Sequence, residues 1–578
     1  MFKTIKKFIV LLIILSYTTT SVFAVENKEL TNELNIMVNE IIEEGKAKGA
    51  VLSVIKDGSI ILSKGFGYAD EYNNIAVDDK YTAFRIGSVS KTFVAVAAQI
   101  LNQEGKIDMN SDISIYLEDN FPKFNYPVTM HQLLTHTAGF EELITGIAVI
   151  NVSETEPLSE SVRKYTPEQV FKPGEVCSYS NYGIALAAYV IESITQIDFA
   201  QFCMERIFLP LNMNNTTYEY MHDIALVSKA YLPNGNETLE PYINLYPEGS
   251  AVSTAHDMAK YMIWLLDDKD NRILSDSFKN QLFIKQFAMS EEMEGGGYVW
   301  NRKVRNHKIY HDKKGETKNF YTRIALYPEV NTGIFLSLNT YVPESEINAV
   351  MNKATDLLYG KFEEKEIDNM NVDTKITGLY VNNWSSFKTP EKILSYIIPN
   401  KIIKISKNNE GEFLLNDEKI TPIGDNTYTS SIGIIKFIEK NDNIIIATES
   451  AITYSKVQLW HSKIIQLSIP ILFIVFSLIF LIRGVILKKA IYIIYPLIQL
   501  ISLFVLFSLF YKGIVKYNIL KYAIPMAVEG WTIAILGVLG IIHTIKKKNN
   551  DYKRNIIDVA WNFINILFII WLFAFNII

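Results

Sequence analysis

Behind residue 463 the chain carries four long apolar stretches, at 464–482, 490–510, 522–545 and 556–577. Each is roughly the twenty residues a helix needs to cross the hydrocarbon core of a bilayer. A helix apolar on every face must be covered by lipid or by other protein. The sequence therefore predicts a membrane domain of about four spans over 463–578. Asp558, Asn562 and Asn565 interrupt the fourth stretch, which makes it the least regular. Arg483, Lys488 and Lys489 follow the first stretch, and Lys546, Lys547, Lys548, Lys553 and Arg554 follow the third. By the positive-inside rule both groups are cytoplasmic, which puts everything before the first span outside the cell. Lys512, Lys516 and Lys521 weaken that bias without reversing it.

The other end of the chain agrees. Lys3, Lys6 and Lys7, the apolar run 8–17 and Val22-Phe23-Ala24 read as a signal peptide over 1–24. The expected topology is a multi-pass cell-membrane protein with an exported domain and membrane lipid as a partner. A length of 578 residues exceeds one hydrophobic core. With 56 basic and 62 acidic residues, and basic clusters confined to the spaces between apolar stretches, no nucleic-acid partner is expected. The two cysteines, Cys177 and Cys203, fall in the exported part and are expected as separate buried thiols.

Hydrophobic periodicity organises the exported part. Residues 27–48 read as an amphipathic helix with Leu30, Leu34, Met37, Ile41 and Ile42 on one side. Residues 51–55 and 60–65 flank Asp57-Gly58, the pattern of a tight β-hairpin. A second hairpin is expected from 323–327 and 334–339, followed by a helix over 344–359. Both ends thus feed one antiparallel sheet, with a mostly helical middle at about 90–290. The expectation is an α+β domain over 25–362. Residues 370–457 change to short alternating strands and read as a small β-rich domain.

Chemistry enters at Phe84-Arg85-Ile86-Gly87-Ser88-Val89-Ser90-Lys91, ahead of the apolar run 93–98. Ser88 and Lys91 stand one turn apart on the same side of a helix start. Free backbone N–H groups at a helix N-terminus favour developing negative charge on the serine. A buried lysine with a depressed pKa is a base able to activate that serine. Phe171-Lys172-Pro173-Gly174 leads into Tyr179-Ser180-Asn181-Tyr182-Gly183, where Tyr179 can join the proton transfer and Asn181 can orient Lys91 or donate to substrate. A third polar element, His311-Asp312-Lys313-Lys314-Gly315-Glu316-Thr317, precedes a late strand and is expected at the sheet edge bordering the cleft.

In this order Ser88-x-x-Lys91, Tyr179-x-Asn181 and a basic residue before a late strand resemble the serine β-lactamase and penicillin-binding-protein superfamily, in its class C-like branch. The accessory stretches Leu133-Leu134-Thr135-His136-Thr137-Ala138-Gly139, Leu209-Pro210-Leu211-Asn212-Met213 and 249–255 add to the resemblance, which runs from about 30 to 360. It implies a β-lactamase/transpeptidase-like fold and an acyl-enzyme on Ser88, with Lys91 and Tyr179 sharing the proton shuttle. It also implies substrate binding by Asn181, His311 and Gly315. The oxyanion hole would come from backbone N–H groups of Ser88 and of the late strand near Tyr321. His311 would stand where relatives carry the first residue of K-T-G or H-x-G. Lys313 then occupies the expected glycine, unless Lys313-Lys314 is an insertion and Gly315 takes that role. No metal or cofactor is implied.

The expected activity is hydrolysis of an amide or ester beside a D-amino acid or related acyl group, in a cell-wall or prodrug peptide among other substrates. A β-lactam-binding receptor and a non-catalytic binding protein are the alternatives.

Overall fold

The computed structural model describes residues 28–219, 226–361, 374–440, 443–449, 452–546 and 552–578. The expected signal segment lies outside them. A helix at 28–43 (α1) leads into strands β1 (Gly49–Lys56), β2 (Ser59–Asp70) and β3 (Ile75–Ala76). Asp57 and Gly58 both take positive φ, 49° and 73°, the backbone of a two-residue hairpin turn. Late in the domain come β4 (Asn301–Arg305), β5 (Lys308–Glu316), β6 (Tyr321–Tyr327) and β7 (Thr332–Leu338). The seven strands form one sheet in the order β4-β5-β6-β7-β1-β2-β3, so the two ends of the domain meet at the β1–β7 pair.

Helix α1 and the helix Glu344–Tyr359 cover one face of this sheet, packing Leu34, Val38, Ile347 and Val350 with Leu52, Leu336 and Tyr321. The other face meets a helical layer built around α2 (Lys91–Gln103), α3 (Asn181–Thr195) and α4 (Ala255–Leu266). Helix α2 is buried from Lys91 to Leu101. That burial is what its run of small and apolar residues on every face required.

One element differs from expectation. Segment 308–316, expected at the sheet edge, lies second from it: β5 pairs with β4 on one side and with β6 on the other. Its charges are accommodated because Asp312 is held between Arg323 at 2.8 Å and Lys303 at 3.2 Å.

Between Gly378 and Val457 nine strands form one antiparallel, barrel-like sheet with its own core of Tyr380, Ile403, Tyr428, Ile435 and Ile446. Four helices then follow that are long and apolar enough to cross a membrane. Their bounds are Lys463–Leu487 (α5), Ala490–Val515 (α6), Ala523–Lys546 (α7) and Tyr552–Ala574 (α8). The polar residues that interrupt the fourth stretch find partners inside this bundle. Asp558 pairs with Arg483 at 2.5 Å, Asn562 donates to Thr544 Oγ1 at 2.6 Å, and Asn565 Oδ1 accepts from Gln499 at 2.9 Å. Cys177 and Cys203 are buried free thiols.

Candidate active site

Ser88 sits in a 3-10 turn, Gly87–Ser90, that runs straight into α2. Its Oγ accepts from Lys91 Nζ at 2.8 Å and from Tyr179 Oη at 2.9 Å. Tyr179 arrives from the extended segment just before α3, whose N-cap Ser180 accepts from the Gly183 amide. His136 stacks on the Tyr179 ring at 4.3 Å between centroids, and Trp384 of the β domain meets that ring edge-on at 5.1 Å. Burial holds His136 neutral, well below the usual histidine range, with Lys313 and Lys91 adding to the effect. Its Nδ1 accepts from the Ser180 amide at 3.3 Å.

Lys91 is fully buried, and its partner was not visible in the sequence reading. Nζ donates to Glu248 Oε2 at 2.6 Å and to the Glu248 carbonyl at 2.6 Å, besides Ser88. An ammonium has three N–H donors, and here each has an acceptor. Burial, the largest single effect, would pull Lys91 down, but the Glu248 carboxylate and Tyr179 together more than offset it and leave the lysine above its ordinary value. The expected depressed lysine pKa is therefore overturned: Lys91 rests as an ammonium. Glu248 immediately precedes the accessory stretch 249–255, which was the available signal, but nothing local links it to a lysine 157 positions away.

The third motif also needs correction. β5 pairs with β6 in unbroken register from His311↔Leu326 to Glu316↔Tyr321, so there is no insertion at Lys313-Lys314. Side chains alternate along a strand. Lys313 turns into the cleft, its Nζ 5.3 Å from the centre of the Tyr179 ring. Gly315, two residues on, passes against the nucleophile turn. A Cβ on Gly315 would lie 2.0 Å from the Ile86 carbonyl oxygen and 3.0 Å from the Val89 nitrogen. Gly87, at φ +51°, is the matching residue on the other side; its Cβ would meet Glu316 N at 2.5 Å. The motif is thus Lys313-Lys314-Gly315.

His311 lies two residues up-strand. Its ring packs on Phe283 at 4.7 Å, and burial lowers it to about 3, so it is a neutral core residue rather than a cleft residue. The Tyr321 side chain belongs to the core on the far side of the sheet. Its backbone is not free either. Thr317 N bonds to Phe320 O at 3.0 Å, and Asn339 N bonds to Gly49 O at 3.1 Å. Alternation along the ladders then directs Tyr321 N–H to Leu338 and turns Glu316 N–H away from β6, toward the Ser88 turn. The backbone N–H that this geometry leaves facing the Ser88 turn is that of Glu316, not of Tyr321.

Asn181 is correctly placed beside Tyr179 but faces a different partner. Its Nδ2 donates to Glu142 Oε1 at 2.7 Å and its backbone N to Glu142 Oε2 at 3.1 Å. No hydrogen bond joins it to Lys91 among those of the described residues.

A nucleophile turn, a Tyr-x-Asn segment and a Lys-x-Gly strand now stand around one serine. The beta-lactamase family profile matches residues 35–354, more than half of the chain. The chain belongs to the beta-lactamase family. Protein flp of Staphylococcus aureus (strain MW2) is 27% identical over 337 residues, covering 54% of this chain and 66% of flp. The chain thus matches slightly less than two thirds of that relative's length.

Among solved structures, the octameric penicillin-binding protein homologue from Pyrococcus abyssi superposes with a TM-score of 0.50 at 22% identity, covering 74% of this chain and all of that one. SurE superposes with a TM-score of 0.54 at 17% identity over 75% of this chain and 99% of its own. Both likenesses are of fold. Both extend well beyond the segment matched by the family profile.

Proposed function

We propose that the chain is a membrane-tethered serine hydrolase, with its cleft outside the cell, that cleaves an amide or ester beside a D-amino acid or related acyl group. The observation that carries this reading is Ser88 Oγ held at once by Lys91 Nζ and Tyr179 Oη, at 2.8 and 2.9 Å. The four apolar helices and the basic groups between them support the tethering.

The protonation states suggest a closed cycle. At rest Ser88, Lys91 and Tyr179 all carry protons, burial having raised the Tyr179 phenol above its ordinary value. Glu248, 2.6 Å from Lys91, is the proton acceptor in contact with that lysine. Lys91 passes a proton to Glu248 and takes that of Ser88, whose Oγ forms the ester bond to the acyl carbon. Ser88 and Glu316 N–H stabilise the oxyanion. The bond to the leaving group breaks as Tyr179 gives that group its proton. The Tyr179 phenolate so formed then takes a proton from water, whose oxygen attacks the acyl carbon and displaces Ser88 Oγ, breaking the ester bond. Ser88 recovers a proton from Lys91, and Lys91 recovers one from Glu248.

The test is to incubate the purified chain and Ser88→Ala with a reporter penicillin and a panel of D-aminoacyl amides and esters. Serine-dependent labelling with turnover of a panel member is expected. Absence of both refutes the reading, and stable labelling with no turnover of any substrate favours a receptor.

A further inference from the structure

Segment 141–146, between the Gly139 turn and the residues that follow, meets every other unit of the chain. Glu141 Oε2 accepts from the β-domain amides of Phe387 and Lys388 at 2.6 and 2.8 Å. Glu142 N donates to the Ser385 carbonyl at 3.1 Å. The buried Glu391 carboxylate, also of the β domain, accepts from Ile144 N at 2.5 Å, from Thr145 N at 3.1 Å and from Thr145 Oγ1 at 2.5 Å. Thr145 Oγ1 in turn accepts from Leu520 N at 3.2 Å, and Gly146 N donates to the Tyr517 carbonyl at 3.0 Å. Tyr517 and Leu520 lie in the connection between the apolar helices α6 and α7.

The junction is anchored on its far side as well. Ile393 and Tyr396, next to Glu391, pack into the core of the apolar bundle, and Tyr396 meets Phe575 edge-on at 5.2 Å. Lys392 Nζ donates to the Ala574 carbonyl, at the end of α8, at 3.3 Å.

One side chain of the segment points the other way, into the cleft wall. Glu142 holds both the backbone N and the Nδ2 of Asn181. That N–H belongs to the first turn of α3, where no intrahelical acceptor exists. Tyr179 is two residues upstream, so the position of Glu142 sets the approach of Tyr179 Oη to Ser88.

We propose that Glu142 is a positioning residue for the catalytic wall, and that the β domain and the apolar bundle together set it through segment 141–146. The C-terminal half of the chain is then part of the catalytic apparatus and not only its tether. The catalytic meaning of this coupling rests on the serine-hydrolase reading; the coupling itself does not.

Glu142 also gives the wall a pH dependence. Burial raises its carboxyl to about 7, with Glu248 pushing the same way and Asn181 and Lys401 opposing. Tyr165 and Tyr182 face it across a small cavity. The ionised form, present above about 7, accepts both Asn181 donors, and protonation below that value removes one acceptor. Wall order, and with it Ser88 labelling, therefore rises as pH passes upward through about 7.

The experiment uses the full chain in nanodiscs, with Glu142→Gln, Glu391→Gln and the double variant. Hydrogen exchange at the 181–183 amides reads the wall without any need for activity. The rate of Ser88 labelling by an uncharged ester reporter, across pH 5.5–8.5, reads the chemistry. Glu391→Gln is expected to raise exchange at 181–183 and to slow labelling about tenfold, the scale of a small misplacement of reacting groups. The double variant is expected to be no slower than Glu142→Gln alone, because both act through one segment. Glu142→Gln is expected to lose the rise through pH 7.

Unchanged exchange at 181–183 in Glu391→Gln, exchange raised uniformly over the domain, or additive effects in the double variant would each overturn the coupling. A preserved pH rise in Glu142→Gln would overturn the role of Glu142. Local exchange changes in a chain that never labels would uphold the coupling and refute the hydrolase reading.

Discussion

Two lysines face the Tyr179 ring from 5.2 and 5.3 Å, and their surroundings push them apart in charge. Lys91 has the Glu248 carboxylate and stays an ammonium. Lys313 is buried beside the Lys91 cation, and both effects lower it, to about 7. The sign follows directly. Below about 7 Lys313 is an ammonium able to hold a substrate carboxylate, and above it the charge is lost. The KM for anionic substrates is expected to rise above pH 7 and that for neutral analogues to stay flat; Lys313→Arg should remove the difference, read by steady-state kinetics at pH 6–9. In the proposed cycle Glu248 is the terminal proton acceptor. Glu248→Gln is therefore expected to lower kcat about a hundredfold with little change in KM, within the usual span for a lost acid–base group. Neither the pairing of Glu248 with Lys91 nor the position of Lys313 over the Tyr179 ring was readable from local pattern. Glu248 reaches Lys91 only through the fold. His311 and Lys313 share one face of β5, so alternation alone does not separate them; the packing of His311 on Phe283 and of Lys313 over the Tyr179 ring does.

At the scale of elements, the cleft is the gap between the Gly87–Ser90 turn and strand β5, and two glycines set its width. Gly315→Ala would bring a Cβ to 2.0 Å from the backbone oxygen of Ile86, with no flexible side chain to move aside. It is expected to destabilise the domain by about 1–3 kcal/mol, as overpacking does, and to abolish Ser88 labelling; thermal unfolding and labelling measure the two separately. The hairpin β1–β2, the hairpin β6–β7, the helix Glu344–Tyr359 and the buried α2 were legible because each is written in short-range periodicity and turn residues. β5 was not. A strand reading Lys-Ile-Tyr-His-Asp-Lys-Lys-Gly-Glu carries charge on both faces, and only its long-range partners, such as Arg323 for Asp312, make those charges compatible with burial.

At the scale of the whole molecule, a beta-lactamase-family domain, a barrel-like β domain and four apolar helices are joined end to end and meet again at segment 141–146. The proposed topology places the α6–α7 connection outside the cell and the α5–α6 connection inside. Lys516→Cys is then expected to react with an impermeant maleimide in intact cells, and Lys488→Cys only after permeabilisation; the reverse pattern would invert the orientation. The polar residues in the last helix, which made that span look doubtful in the sequence, are the ones the bundle pairs internally, as Asp558 does with Arg483.

The pairing of β1 with β7 also governs when the cleft can be assembled. Gly49 N is bonded to Asn339 Oδ1, 290 positions further on, at 2.7 Å. Ser88 emerges early in synthesis, while Lys313 and Gly315 sit on a strand held in place by β6 and β7. A nascent chain that stops short of residue 338 therefore has a nucleophile but no opposite wall, and closing so long a loop is slow compared with forming local helices. The complete cleft forms late, after most of the domain has been synthesised, so the unfinished chain carries Ser88 with no Lys313–Gly315 wall opposite it.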